Sequence, residues 1–139
     1  MKTFKKTFIS IISAVIGGLL ITFNAYSQSQ LPKPWEVPAE FKTMKNPVAK
    51  SEASNEAGKV LYVKNCASCH GKTGLGDGVK SRMLQDFPGD FSGAYYQNQT
   101  DGEHFYKTRA GRGEMPKYEG KLSDDDIWNI VNYMRTFKK

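Results

Sequence analysis

Cys66-Ala67-Ser68-Cys69-His70 gathers the chain's two cysteines and one of its two histidines into five residues. On a helical turn, positions i and i+3 share a face, so both thiols reach the two vinyl groups of one porphyrin. His70, the next residue, is carried under the ring centre, where its imidazole can bind iron. This spacing is the attachment signature of a c-type haem. A zinc site would need further Cys or His at ligand spacing, and only His104 remains. A thioredoxin-like redox pair would sit in a βαβ pattern, which the sequence lacks.

A sixth iron ligand must come from Met44, Met83, Met115, Met134 or His104. Met134 falls on an apolar helical face and reads as core. Met44 precedes the folded unit, and Met83 lies in a short helical stretch where packing is the default role. Met115 differs, because Gly111-Arg112-Gly113-Glu114-Met115-Pro116 is a loop between two helices. Its glycines and proline hold the chain out of helix and let a side chain be aimed across a cavity. It lies 45 residues beyond His70, enough to reach the opposite haem face. A thioether favours ferrous iron and raises the potential. His104, on a helix with charged neighbours, is expected to face solvent and is the alternative ligand.

Three helices must position these groups. One is expected over 52–65, leading into the haem motif, with Ala53, Ala57, Val60, Leu61 and Lys64 at near-helical spacing. Gly58 in its interior costs about 1 kcal/mol relative to alanine and calls for compensation by close helix approach. A second helix starts at Thr100, which forms a capping box with Glu103, and Gly111 ends it. The last is the clearest. Ser123 caps it, Asp126 completes a capping box, and Ile127, Ile130, Val131, Met134 and Phe137 make its apolar stripe. A short helical stretch around 79–85 is stopped by Pro88. No run alternates as a strand, so the fold class is all-α. A core of under ninety residues is marginal alone, and a buried porphyrin supplies the missing apolar surface.

Two segments precede this unit. Lys2, Lys5 and Lys6, an uncharged apolar run from Phe8 to Phe23, and Ala25-Tyr26-Ser27 read as a signal peptide over 1–27. The rival is an uncleaved anchor, but the run falls short of the roughly 20 residues that span a bilayer. Residues 28–50 contain Pro32, Pro34, Pro38 and Pro47 and are expected to be extended, with the folded domain over 51–139. Trp35, Val37 and Phe41 are placed to pin parts of this segment onto the domain, Trp35 by packing rather than by a haem contact. Export suits a covalently attached haem, and no further cysteine offers a disulfide framework. Cleavage removes three of the 20 basic residues and none of the 14 acids, leaving +3. That mild charge implies no nucleic-acid partner.

The chain resembles a class I (mitochondrial- and bacterial-type) cytochrome c. The likeness runs from about Ala57 to Phe137. It rests on Gly58-Lys59-Val60-Leu61-Tyr62, Cys66 to Gly71, Gly74-Leu75-Gly76-Asp77-Gly78, Pro88-Gly89-Asp90-Phe91, Met115-Pro116 and Ile127 to Tyr133. It implies a cytochrome c-like helical domain around one covalent haem c, with thioethers at Cys66 and Cys69 and iron bonds from His70 and Met115. It also implies packing of Gly58 and Tyr62 against Ile130 and Tyr133. Relatives often have a proline after the Gly-Asp-Gly turn whose carbonyl accepts the proximal histidine's Nδ1 proton. Here Val79 holds that place, which leaves the acceptor open.

The implied function is a periplasmic or otherwise extracytoplasmic mono-haem electron carrier, or the electron-transfer subunit of a respiratory or dehydrogenase complex. It is expected to be a monomer that meets redox proteins or a membrane complex and takes no small-molecule substrate. Lys72, Lys80, Arg82, Arg109, Arg112 and Lys117 are candidates for a positive docking rim, or for an ordinary solvated face. The alternatives are an enzyme or gas sensor with an open haem position, where His104 would act as acid–base group, and a purely structural domain, which would leave the haem motif idle.

Overall fold

A computed structural model describes residues 34–139, so the expected signal peptide lies outside the described residues. Among these, no helix is long and apolar enough to cross a membrane, and no β-strand forms. The helices are α1 Ala39–Lys42, α2 Glu52–Asn65, α3 Ala67–His70, α4 Ala94–Gln97, α5 Asp101–Ala110 and α6 Asp124–Arg135, with a 3₁₀ turn at Ser81–Met83.

Local signals account for the ends of the long helices. The Ser51 hydroxyl accepts from the Ser54 amide at the head of α2. Thr100 with Glu103, and Ser123 with Asp126, form complete capping boxes on α5 and α6. Each satisfies two amides that a helix start would otherwise leave unpaired. Three aspartates in the first turn of α6 also suit its positive end.

The α2–α6 crossing is the centre of the molecule, and it overturns one expectation. Ala53, Ala57 and Val60 face solvent, Val60 at 59% exposure, while Ser54, Gly58 and Tyr62 are buried. The reason is Gly58. A Cβ there would lie 2.0 Å from the carbonyl oxygen of Asn129 and 2.9 Å from the Tyr133 Cβ, so only glycine lets the backbones meet. Close approach on that side turns the helix until the 54–58–62 face points inward. Tyr62 then packs edge-on against Tyr133 and Phe137, as the family resemblance implies.

Two apolar clusters flank the crossing. Tyr62, Phe91, Ile130 and Met134 form one, and Phe105, Ile127, Trp128 and Val131 the other. Phe105 stacks on Trp128 with ring centroids 4.0 Å apart. Fully buried side chains of this kind contribute about 1.5–3 kcal/mol each.

The proline-rich segment is extended over 34–38, then makes the single turn of α1 rather than continuing extended. It packs onto the helices. Phe41 lies against Phe105 and Tyr106. Asn46 Nδ2 donates to Asn132 Oδ1 at 2.9 Å, and Asn132 Nδ2 donates to Ser54 Oγ at 2.8 Å and to the Val48 carbonyl at 3.1 Å. Ser54 in turn donates to Asn129 Oδ1 at 2.7 Å. A buried polar chain therefore runs from this segment through α6 to α2.

Candidate haem-binding site

Cys66 ends α2, its amide donating to the Tyr62 carbonyl at 2.8 Å, and the chain immediately turns again into α3. Four residues cannot satisfy their own helix-end carbonyls. The loop that follows does so. Amides of Gly71, Gly76, Gly78 and Lys80 donate to the carbonyls of Ala67, His70, Cys69 and Ser68 at 2.8–3.2 Å. The Tyr62 hydroxyl donates to the Gly71 carbonyl at 2.9 Å, tying the turn back to α2. Cys66 and Cys69 are free thiols. Burial, with a smaller contribution from Cys69, pushes the Cys66 thiol up to about 12.

The His70 imidazole stacks on Phe91 with centroids 4.5 Å apart. Burial pushes its pKa down to about 4, so the ring is neutral, as an iron ligand must be. The backbone carbonyl that bears on this ring, opposing burial, belongs to Pro88. Nδ1 itself is buried without a partner at hydrogen-bonding geometry. Val79, at the place where relatives carry proline, is 86% exposed. The proline of the Pro88-Gly89-Asp90-Phe91 segment, nine residues on, is the one that reaches the histidine.

The 112–116 loop is built by a tight pairing. The Arg112 amide donates to the Met115 carbonyl and the Met115 amide to the Arg112 carbonyl, both at 3.0 Å. Gly111 and Gly113 stand at φ 64° and 57°, which other residues rarely adopt. Beyond it, the amides of Tyr118 and Glu119 both donate to the Arg109 carbonyl.

Cys66, Cys69, His70 and Met115 all line one cavity of about 530 Å³. Tyr62, Leu84, Phe91, Ile130 and Met134 supply apolar walls. The volume lies in the range of small-molecule and cofactor sites. The donor set of two thiols, a neutral imidazole and a thioether fits a covalently held haem, and the orphaned His70 ring fits a group that would engage it. Among the described residues, no cluster of three or more His, Cys, Asp and Glu could hold a metal ion directly, which removes the zinc reading.

Several expectations change here. His104 does not face solvent: it is 5% exposed, lines the same cavity, and donates Nε2–H to the Tyr96 carbonyl at 2.9 Å. Burial first, then the nearby Arg135 charge, pushes it down to about 4. Its charged neighbours at 103 and 107 sit at the sides of the helix, while position 104 shares the inward face with Thr108. Met83 is 79% exposed and away from the cavity. Trp35, read as packing alone, lines the cavity and stacks under Arg112 at 4.3 Å. No spacing signal in the sequence links residues so far apart. Of the six rim candidates, Arg109 pairs with Glu119 and Asp124, Lys117 with Glu119, and Arg112 with Trp35; Lys72, Lys80 and Arg82 are exposed.

Comparison with known proteins agrees with this geometry. The family described as "Cytochrome C oxidase, cbb3-type, subunit III" matches residues 53–134. A quinohemoprotein alcohol dehydrogenase of Comamonas testosteroni is 34% identical over 83 residues, covering 60% of this chain but only 11% of that protein. Cytochrome c6 of Euglena gracilis is 28% identical over 83 residues, 57% of this chain and 87% of its own. Among solved structures, the c-type cytochrome KustC0563 aligns with a TM-score of 0.51 at 26% identity, over 59% of this chain and 98% of that one. A Kuenenia stuttgartiensis reducing HAO-like protein complex shares the fold with a TM-score of 0.61, at 23% identity over 81% of this chain and 53% of that one. With more than half of its length matched, the chain belongs to the cytochrome c family, as an all-α electron-transfer domain that carries covalently bound haem c.

Proposed function

We propose that this chain is an extracytoplasmic mono-haem electron carrier, free or as the electron-transfer subunit of a dehydrogenase or respiratory complex, and not itself an enzyme. Cys66 and Cys69 hold the haem by thioethers, and His70 and Met115 are the axial ligands. The observation that carries this reading is the convergence of all four side chains on one cavity. When bound, haem c supplies a one-electron Fe(III)/Fe(II) couple. The protein's part is to fix both ligands and to exclude water, which keeps reorganisation small during outer-sphere transfer. His70 is held neutral for ligation by burial, with Phe91 against its face. The Arg112–Met115 pairing presents the thioether from a loop whose backbone is fixed at both ends.

An open-site enzyme or sensor would need a mobile acid–base group beside the iron. His104 is instead committed to the Tyr96 carbonyl, which weighs against that reading. Export is supported by the basic–apolar–small pattern of 1–27, and transient redox partners by the likeness to a quinohemoprotein dehydrogenase and to small cytochromes. A monomer is the simplest state for such a carrier.

The test is spectroscopic. Wild-type ferric protein should show a weak sulfur-to-iron charge-transfer band. Met115→Ala should abolish it, lower the midpoint potential and open the ferrous iron to carbon monoxide. Met83→Ala should leave all three unchanged. Ready binding of carbon monoxide by wild-type protein at neutral pH would sink the closed-site carrier.

A further inference from the structure

We propose that Trp35 and Arg112 together hold the Met115 loop closed, making the segment ahead of the cytochrome core a positioning element of the redox centre. The inference rests on the reading of Met115 as iron ligand. The family match begins at residue 53, so Trp35 lies outside the part that the family accounts for.

The loop tip has little else to hold it. Gly113 has open space where a side chain would be, and Glu114 points outward with exposed neighbours. Two side chains fasten the tip. Glu114 Oε2 accepts from the Gln85 amide at 2.7 Å. On the other flank, the Arg112 guanidinium lies 4.3 Å from the centre of the Trp35 ring, and its Nη1 donates to the Pro34 carbonyl at 2.8 Å.

Arg112 cannot move without Met115. Their main chains exchange two hydrogen bonds at 3.0 Å, so residues 112–115 behave as one rigid turn. A guanidinium suits both contacts, because its plane stacks on an indole while its edge donates to a carbonyl, which a lysine cannot do at once. Trp35 also contributes its own surface to the cavity wall, so loosening the contact both frees the turn and wets the cavity. Opening of the loop is the event that takes the thioether off the iron. A cation–π contact at a partly exposed site is sufficient to change that equilibrium about three- to ten-fold.

Carbon monoxide trapping by the ferrous holoprotein reads this opening, because the gas takes the sixth position only when the thioether leaves it. Trp35→Ala and Arg112→Gln are each expected to raise the trapping rate about three- to ten-fold, while Trp35→Phe, which keeps a ring under the guanidinium, stays within about twofold. The Trp35→Ala/Arg112→Gln pair should match the larger single effect, since both remove one contact. Multiplied effects in the pair, or wild-type rates in both single variants, overturn the proposal. In the latter case a Met115→Ala protein that traps the gas at once leaves the ligand reading standing. A Met115→Ala protein indistinguishable from wild type removes both. If Trp35→Ala fails to hold haem, Arg112→Gln, at an exposed side chain, carries the test.

Discussion

The Tyr118 hydroxyl donates to the main-chain carbonyl of Asn65 at 2.7 Å, joining the segment after the methionine loop to the residue just before Cys66. Burial, and then the nearby Cys66 and Cys69 thiols, push that hydroxyl up to about 12, so it stays protonated and donating at any physiological pH. One hydrogen bond thus fixes the spacing between the stretch that bears the thiols and the loop that bears the thioether. Tyr118→Phe keeps the ring and removes only this bond. It should cost about 1 kcal/mol in denaturant unfolding. A sulfur-to-iron band that weakens in the same variant, at temperatures well below unfolding, would locate the loss in the loop.

Gly58 and Val60 make opposite predictions two residues apart. Gly58→Ala forces a methyl against a backbone oxygen that cannot rotate away. It should cost roughly 3 kcal/mol, at the upper end for overpacking, read as a fall in thermal midpoint. Val60→Ala, on the solvent face, should stay within about 0.5 kcal/mol. Equal effects in both would mean that α2 packs by the face its apolar residues suggest.

His104 should make the holoprotein acid-sensitive. Its folded pKa, about 4, lies below the ordinary value of 6.5, so between those limits the unfolded chain binds the extra proton. Stability therefore rises with pH across that window and falls as pH drops from 6.5 toward 4, by at most about 1.4 kcal/mol per pH unit. Urea unfolding at stepped pH measures the slope. His104→Gln, which retains a donor for the Tyr96 carbonyl, should flatten it.

Each thiol should matter to haem retention. Cys66→Ala or Cys69→Ala should lower the yield of holoprotein sharply, because one thioether fixes the ring less well than two. Pyridine haemochrome spectra count the remaining thioethers. Haem fully retained through acid–acetone extraction in the double variant would falsify covalent attachment at these positions.

What is legible in the sequence follows the reach of each signal. The haem motif, both capping boxes and the glycine at 111 act over three to five residues, and the helices they define fall where the spacing places them. Met115 is readable because its flanking Gly and Pro are local, and the structure puts it on the cavity with His70. The inward face of α2 escapes such a reading because a missing Cβ at Gly58 outweighs the apolarity of Ala53, Ala57 and Val60, and the cause lies on α6. His104 looks solvent-facing from its charged neighbours, yet Tyr96 buries it and gives it a carbonyl. Trp35 and Arg112 lie 77 positions apart, and nothing in either neighbourhood announces the other.

The polar chain from Asn46 through Asn132 to Ser54 and Asn129 acts as a ruler as well as a bond. Apolar faces are indifferent to small slips, because burial has no direction. Amides and hydroxyls accept only one alignment, and a slip of one residue would strand several of them at about 1–3 kcal/mol each. Asn46 is thereby pinned, and the chain length between it and Trp35 is set. The indole arrives under the guanidinium because a polar contact on the far side of α6 measures out how much strand is left to reach it.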